Sequence, residues 1–403
     1  MKLDQIETFV VANPPPRHGG RYFIFVKLVT ACGIVGYGEI YNATFGPHLV
    51  AEMAKDVFQR QFAGEDPHHI EKLWHKTYGA GYTQRPDVTV MGVLSGLEMA
   101  CWDIIGKAAG KPAYELLGGK VHERLRSYTY LYPADGDVYP DPSKPNVYND
   151  PDMAADAAMK AARQGFTAVK FDPAGAYTIY DGHQPSLEDL ERSEGFCRKI
   201  REAVGTKADL LFGTHGQFTV SGAKRMARRL EAYDPLWFEE PVPPEKPEDM
   251  AEVARYTSIP VATGERLCTK YEFSRVLETK AASILQMNLG RVGGLLEAKK
   301  IAAMAECHSA QIAPHLYCGP LVALANIQLA TCSPNFLVLE SIRTFDGFYA
   351  DLLKTPIRWE DGYVIPSGEP GLGHDLDEEV ARANPYAGNE LHLGFQESPA
   401  LPL

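Results

Sequence analysis

At 403 residues the chain is long for one average domain of ~150 residues and suggests two or three. Hydrophobic residues make up 45% and charged residues 23%, which excludes a disordered or fibrous chain. Lys and Arg number 40 against 52 Asp and Glu, and the net charge of -12 argues against a nucleic-acid partner. No run is expected to reach the ~18 apolar residues that a bilayer span needs. Asp4 falls where a signal peptide would carry its apolar stretch. Seven cysteines, an odd number with no CxxC spacing, fit a reduced cytosolic protein better than a disulfide framework or zinc site.

Residues 5–11 alternate polar and apolar side chains, and 22–29 form an apolar run, so both predict strands. The Pro- and Gly-rich stretch 14–20 between them is a loop. A third strand is expected over 34–40. Leu94, Leu97, Cys101, Ile104, Ile105 and Ala108 recur at helical steps until Gly110 and Pro112 stop them. Residues 1–124 therefore predict an α+β unit. From 125 to 345 the pattern alternates. Strand-like runs at 126–131, 167–171, 208–213, 236–240, 259–264, 283–288, 309–314 and 336–341 are separated by amphipathic helices such as 222–230. This α/β pattern fits a closed parallel (β/α) barrel of TIM type; a doubly wound open sheet fits less well, because no GxGxxG turn opens the region. Long polar insertions at 132–150 and 172–186 follow the first two barrel strands and belong at the active-site face. Residues 346–403 read as a turn-rich segment that packs back on the first unit.

In such a barrel the chemistry sits where strands end. Successive strand ends carry Lys170 and Asp172, His215, Glu239, Glu265, Asn288, His315 and Glu340. Glu239 and Glu265 are one βα unit apart, so they fall on adjacent strands. Two such carboxylates repel unless a cation lies between them, and hard oxygen ligands suit Mg²⁺. Pairing with Arg266 or Arg291 is the plainer explanation for either one. His215 and His315 come from the third and seventh strands and face each other across the mouth, with Lys170 as a further proton-transfer group. An acid and a base on opposite sides of a substrate is what proton abstraction with loss of a leaving group needs.

Several motifs resemble the enolase superfamily, and within it the mandelate racemase and muconate lactonizing branch. They are the helix 95–107 with Leu116-Leu117-Gly118-Gly119, then Phe238-Glu239-Glu240-Pro241, Ala262-Thr263-Gly264-Glu265, Val292-Gly293-Gly294 and Pro370-Gly371-Leu372-Gly373. The Lys170-Phe171-Asp172-Pro173 run and the His215-Gly216 pair look most like acid-sugar dehydratases of the gluconate, galactonate and mannonate kind. The resemblance implies an N-terminal capping domain completed by the C-terminal tail. It implies a cytoplasmic homo-oligomer and a small sugar-acid substrate, with no nucleic-acid or membrane partner. It also implies Mg²⁺, with Mn²⁺ as the alternate, and a hydro-lyase that takes the proton α to a carboxylate and expels the β-hydroxyl. Carried onto this chain, Glu239 and Glu265 match metal ligands. His315 matches the base, His215 the acid, and Glu340 a carboxyl that hydrogen-bonds the intermediate. The loops 14–22 and 40–47 match segments that close over substrate. Apart from the resemblance, an anionic substrate needs local positive charge, which Lys170, Arg266 and Arg17 of the closing loop can supply, and Asn288 is a further substrate-binding position.

Two positions depart from that pattern. Gly213 stands where the first metal ligand is acidic, so His215, Asp172 or a water would have to replace it. Asn288 stands where an Asp backs the base, which leaves His315 less favoured as an imidazolium and Lys170 as the other base. A racemase or cycloisomerase of the same superfamily, or a degraded site kept for binding, are the alternative readings.

Overall fold

The computed structural model describes residues 1–133, 136–141 and 143–393. Parts of the expected insertion 132–150 and of the tail 346–403 therefore lie outside the described residues. The chain opens with an antiparallel sheet of β1 (Leu3–Ala12), β2 (Tyr22–Thr30) and β3 (Val35–Ile40). Against it lies the helix Val88–Ala109. Asp87 caps its start by accepting from the Thr89 and Val90 amides, and Gly110 ends it at φ +63°. Gly36 and Gly38 of β3 permit this close approach, because a Cβ on either would collide with the helix backbone at Ala100 or Gly96.

That helix is a correction to the sequence reading. By length and composition it could cross a membrane, yet 83% of its most apolar window is buried inside the protein. It is the core helix of the cap, and its polar residues hold the molecule together. Glu98 accepts from the amides of Leu295 and Leu296, at the start of the barrel helix Leu295–Cys307. Glu39, at the end of β3, does the same for Gly319 and Val322 at the start of Pro320–Thr331. Two cap carboxylates thus satisfy the free amides of two barrel helices, where the helix dipole also favours them.

Eight parallel strands follow: β4 (Leu125–Tyr130), β5 (Ala168–Phe171), β6 (Asp209–Phe212), β7 (Trp237–Glu239), β8 (Val261–Thr263), β9 (Ile284–Leu285), β10 (Gln311–Ile312) and β11 (Leu339–Ser341). Each pairs with the next from β4 to β10. β11 pairs with β4, and an Ile312–Phe336 bridge closes the ring. The interior is packed by one side chain from each strand or its flank: Tyr128, Ala168, Leu211, Trp237, Ala262, Ile284, Ala313 and Val338. The large pair meets edge to face, Tyr128 and Trp237 at 5.4 Å, and small alanines leave the room for it. This filled floor forces a substrate to sit above it, at the C-terminal strand ends.

The tail touches both units. β12 (Trp359–Glu360) and β13 (Tyr363–Val364) form a hairpin that pairs antiparallel with the start of β4. Further on, Glu378 bonds Lys27 and the Tyr37 hydroxyl of the cap sheet. Asp103 of the cap helix accepts from the Leu372 amide, which fixes the Pro370–Gly373 turn against the cap.

Candidate active site

Lys170, Glu239, Glu265, His315 and Glu340 are all buried, and all lie at the mouth above the barrel floor. Lys170 reaches from β5 across β6 to Glu239, Nζ to Oε1 at 2.6 Å, while Trp237 Nε1 donates to the other carboxylate oxygen at 3.1 Å. Burial works against the Lys170 charge, but the carboxylate beside it wins and holds the ammonium well above its usual range. Glu265 lies between two imidazoles: His215 Nε2 is 3.4 Å from Oε1 and His315 Nε2 is 3.3 Å from Oε2.

The two histidines are held differently. Burial would lower the His215 pKa, but the charge and hydrogen bond of Glu265, then Asp172, outweigh it and hold it at about 9. His215 Nδ1 meets the Tyr177 hydroxyl at 2.6 Å, and that hydroxyl donates to Asp172 Oδ2 at 3.2 Å. For His315 burial wins, against Glu265 and Glu340, and its pKa falls below the usual value. Behind it Asn288 Nδ2 lies 2.9 Å from Nδ1. Asn288 cannot turn over, because its Oδ1 accepts from the Gly290 amide at 2.9 Å. The amide group therefore donates to Nδ1, which places the proton of the neutral ring on Nε2, toward the mouth.

Other expected residues are engaged by partners within the protein. Arg266 donates to Glu240 at 2.7 Å and to the His215 carbonyl at 2.7 Å, and so braces two strand ends. Arg17 pairs with Asp137 at 2.7 Å, joining the 14–22 loop to the insertion after β4. Asn288 is behind His315, fully buried. Glu340 Oε2 accepts from the Leu316 amide at 2.7 Å. The pairing expected of Glu239 or Glu265 with Arg266 or Arg291 is not formed by side chains; Arg291 reaches only the Glu265 carbonyl, at 3.2 Å.

Sequence reasoning singled out neither Tyr177 nor Tyr41, and it took Arg291 only as a partner for a glutamate. Tyr177, inside the Tyr-rich insertion, is the hydrogen-bond link between Asp172 and His215. Tyr41 of the cap lies 6.1 Å from the His315 ring, and Arg291 stacks on its face at 4.2 Å. Beforehand the insertion 172–186 could be placed at the active-site face and the 40–47 loop over the substrate, without these side chains.

A divalent cation fits these residues. One ligand atom from each of His215, Glu239 and Glu265 lies within 4.8 Å of the others. Asp172 Oδ1 is buried without a hydrogen-bond partner, and Glu265 Oε2 has no formed hydrogen bond although His315 Nε2 stands 3.3 Å away; such carboxylate oxygens are costly unless a cation or donor meets them. Gly213 contributes no ligand. Instead a Cβ at that position would fall inside the Asp172 carboxylate, so Asp172 fills the space a side chain there would use.

Family comparison assigns the class. Residues 5–118 match the mandelate racemase / muconate lactonizing enzyme N-terminal domain, and residues 152–380 match the enolase C-terminal domain-like family. The chain belongs to the mandelate racemase/muconate lactonizing enzyme family of the enolase superfamily. A crystal structure of a protein from Labrenzia alexandrii DFL-11, carrying only that family name, is 89% identical with a TM-score of 0.97 and covers 100% of both chains. Among curated relatives, D-galactonate dehydratase of Ralstonia pickettii (strain 12J) is 33% identical over 94% of this chain and 93% of its own. D-xylonate dehydratase of Haloferax volcanii is 32% identical over 92% and 88%. These homologues are named as dehydratases, the hydro-lyases of the superfamily.

Proposed function

We propose that the chain is a divalent-metal-dependent dehydratase of a sugar acid, an aldonate or aldarate, that yields a 2-keto-3-deoxy acid. The observation that carries this reading is the cluster of His215, Glu239 and Glu265 above a filled barrel floor, faced by His315 and Lys170. Relatives named for galactonate and for xylonate match this chain almost equally, which supports the substrate class and favours no single sugar. Mg²⁺ is the first expectation and Mn²⁺ the alternate.

A cation bound there would draw in the substrate carboxylate and stabilise the charge that develops as the α-proton leaves. His315 presents Nε2–H and so acts as the acid that protonates the departing β-hydroxyl. This reverses the base role that the family pattern implies for it, and the reason is the Asn288 amide on Nδ1. Lys170 is then the group that receives the α-proton, in the neutral form open to it once a cation on Glu239 would take the place of their ion pair. It shares Glu239, so the charge on Lys170 and the ligation of Glu239 are linked. Asp137 and Glu240 hold Arg17 and Arg266, and Arg291, stacked on Tyr41, is a further cation for an anionic substrate. A division at 124/125 and 345/346 belongs to the same proposal, supported by barrel strands that run from Leu125 to Ser341. Cytoplasmic residence and self-association belong to it too; the seven cysteines are free thiols, five of them buried, which supports a reducing compartment.

The test is a panel of aldonates and aldarates incubated with the protein and Mg²⁺ or Mn²⁺, read by mass spectrometry. The proposal expects metal-dependent loss of one water and a 2-keto acid product. Epimerisation or ring closure without water loss, or inertness towards the whole panel, would contradict it.

A further inference from the structure

The chain lacks an acidic side chain at 213, yet its mouth keeps a carboxylate in that volume. Asp172 comes from the end of the neighbouring strand β5, and its Oδ1 takes the space that a residue 213 side chain would enter. The donor cluster of the mouth nonetheless consists of His215, Glu239 and Glu265. We infer that His215, through Nε2, is the third metal ligand of this chain, and that Tyr177 and Asp172 hold its ring in the ligating pose. This inference rests on the metal-dependent reading above.

The hydrogen-bond directions lead to that assignment. A carboxylate only accepts, so the Tyr177 hydroxyl spends its proton on Asp172 Oδ2 at 3.2 Å. Its oxygen is then the acceptor for His215 Nδ1–H at 2.6 Å. The ring edge that remains is Nε2, which faces Glu265 Oε1 at 3.4 Å. A cation there would displace the Nε2 proton, and the ring in this pose would then offer its Nε2 lone pair toward Glu265 and Glu239. Ligating histidines are commonly oriented in this way, with the far N–H given to a carboxylate; here a tyrosine hydroxyl is interposed. His315 does not compete for the role, because the fixed Asn288 amide keeps the proton on its Nε2. Asp172 lies outside the donor cluster and acts through Tyr177, so Tyr177 and Asp172 are positioning residues.

The consequence is a change in metal preference. Three carboxylates make an all-oxygen site of the kind Mg²⁺ favours. One imidazole with two carboxylates suits Mn²⁺ or another first-row divalent ion better, since nitrogen ligands raise affinity along that series.

Electron spin-echo measurements on the full chain loaded with Mn²⁺ test this without any substrate. The wild type should show modulation from a directly bound nitrogen and should bind Mn²⁺ more tightly than Mg²⁺ in competition titrations. His215→Gln should still take up Mn²⁺ more weakly through Glu239 and Glu265, with the nitrogen modulation gone. Tyr177→Phe keeps the ring and removes only the hydroxyl. It should lower Mn²⁺ affinity by about 10–100-fold, the usual cost of losing an orienting partner, and should weaken the nitrogen signal while the circular dichroism spectrum stays unchanged. Mn²⁺ bound with oxygen ligands alone in the wild type would overturn the inference and leave the metal-dependent reading standing. Absence of any Mn²⁺ or Mg²⁺ binding would defeat both.

Discussion

On the β5–β6 wall of the mouth a carboxylate has changed its address. Position 213 has no side chain, Asp172 fills the space from the next strand, and Tyr177 passes its influence to His215. On the β9–β10 wall no such replacement occurs. Asn288 keeps the hydrogen bond to His315 but brings a donor instead of an anion, and the ring is left neutral with Nε2–H outward. A negative charge supplied from the neighbouring strand keeps an anion at that wall, whereas exchanging an acceptor for a donor reverses the proton direction of the histidine it touches. Two substitutions that look equally damaging in sequence therefore have different consequences in space.

The contrast breaks most sharply at the residue both walls share. Glu265→Gln removes the carboxylate between the two histidines, and Mn²⁺ affinity should fall by more than the roughly 100-fold cost of losing an orienting partner. Isothermal titration checks it, and retained affinity would show that Glu265 is no ligand.

On the β9–β10 wall, His315→Asn should slow turnover by about 10²–10⁴-fold, the range for a lost general acid. Mn²⁺ affinity should stay as it was, and exchange of the substrate α-proton with deuterated solvent should persist, because Lys170 takes that proton. Loss of the exchange would return the base role to His315. Asn288→Asp sharpens the same point. With an acceptor behind the ring, nitrogen NMR should find the proton moved from Nε2 to Nδ1, and an unmoved proton would refute the role of the amide.

A smaller effect is expected from Gly213→Ala on the opposite wall. The added Cβ must displace the Asp172 carboxylate, which should cost about 1–3 kcal/mol of unfolding free energy, as overpacked sites do, together with a measurable part of the Mn²⁺ affinity. Denaturant melts and titration read both, and an indifferent variant would show that Asp172 does not need that space.

The smallest effect is a pH dependence of the metal-free protein. His215 has a folded pKa of about 9 against an ordinary value of 6.5. Its contribution to stability is therefore fully present below pH 6.5 and is lost as pH rises through about 9. Solvent screens part of it, since the side chain is 26% exposed. His215→Gln should flatten that part of the stability profile, and an unchanged slope would show that the raised pKa has another owner.

What could be read in the sequence follows from where its signals are local. The barrel strands announce themselves as short apolar runs because both faces of each are buried. Glu239 and Glu265 were legible because one βα unit between them is a spacing along the chain. The link from Asp172 through Tyr177 to His215 joins two strand ends and an insertion, and nothing in sequence spacing encodes it. Asn288 could be seen to lack a charge, but its fixed orientation depends on the Gly290 amide two residues on, a bond that only the backbone turn creates. Arg17 and Arg266 were expected to meet substrate because free cations suit an anion. Their partners Asp137 and Glu240 come into reach only when the loops and strand ends assemble. The cap helix Val88–Ala109 was hard to judge for a related reason: its apolar length reflects burial on every side, while Glu98 and Asp103 find their amide partners in distant segments.

The central claim is a single divalent cation held at the barrel mouth, and a crystal soaked in Mn²⁺ tests it most directly through anomalous diffraction. The account predicts one strong peak lying within about 2.0–2.3 Å of one atom each from His215, Glu239 and Glu265. A map with no peak between those side chains, or with its strongest peak elsewhere on the chain, would contradict it.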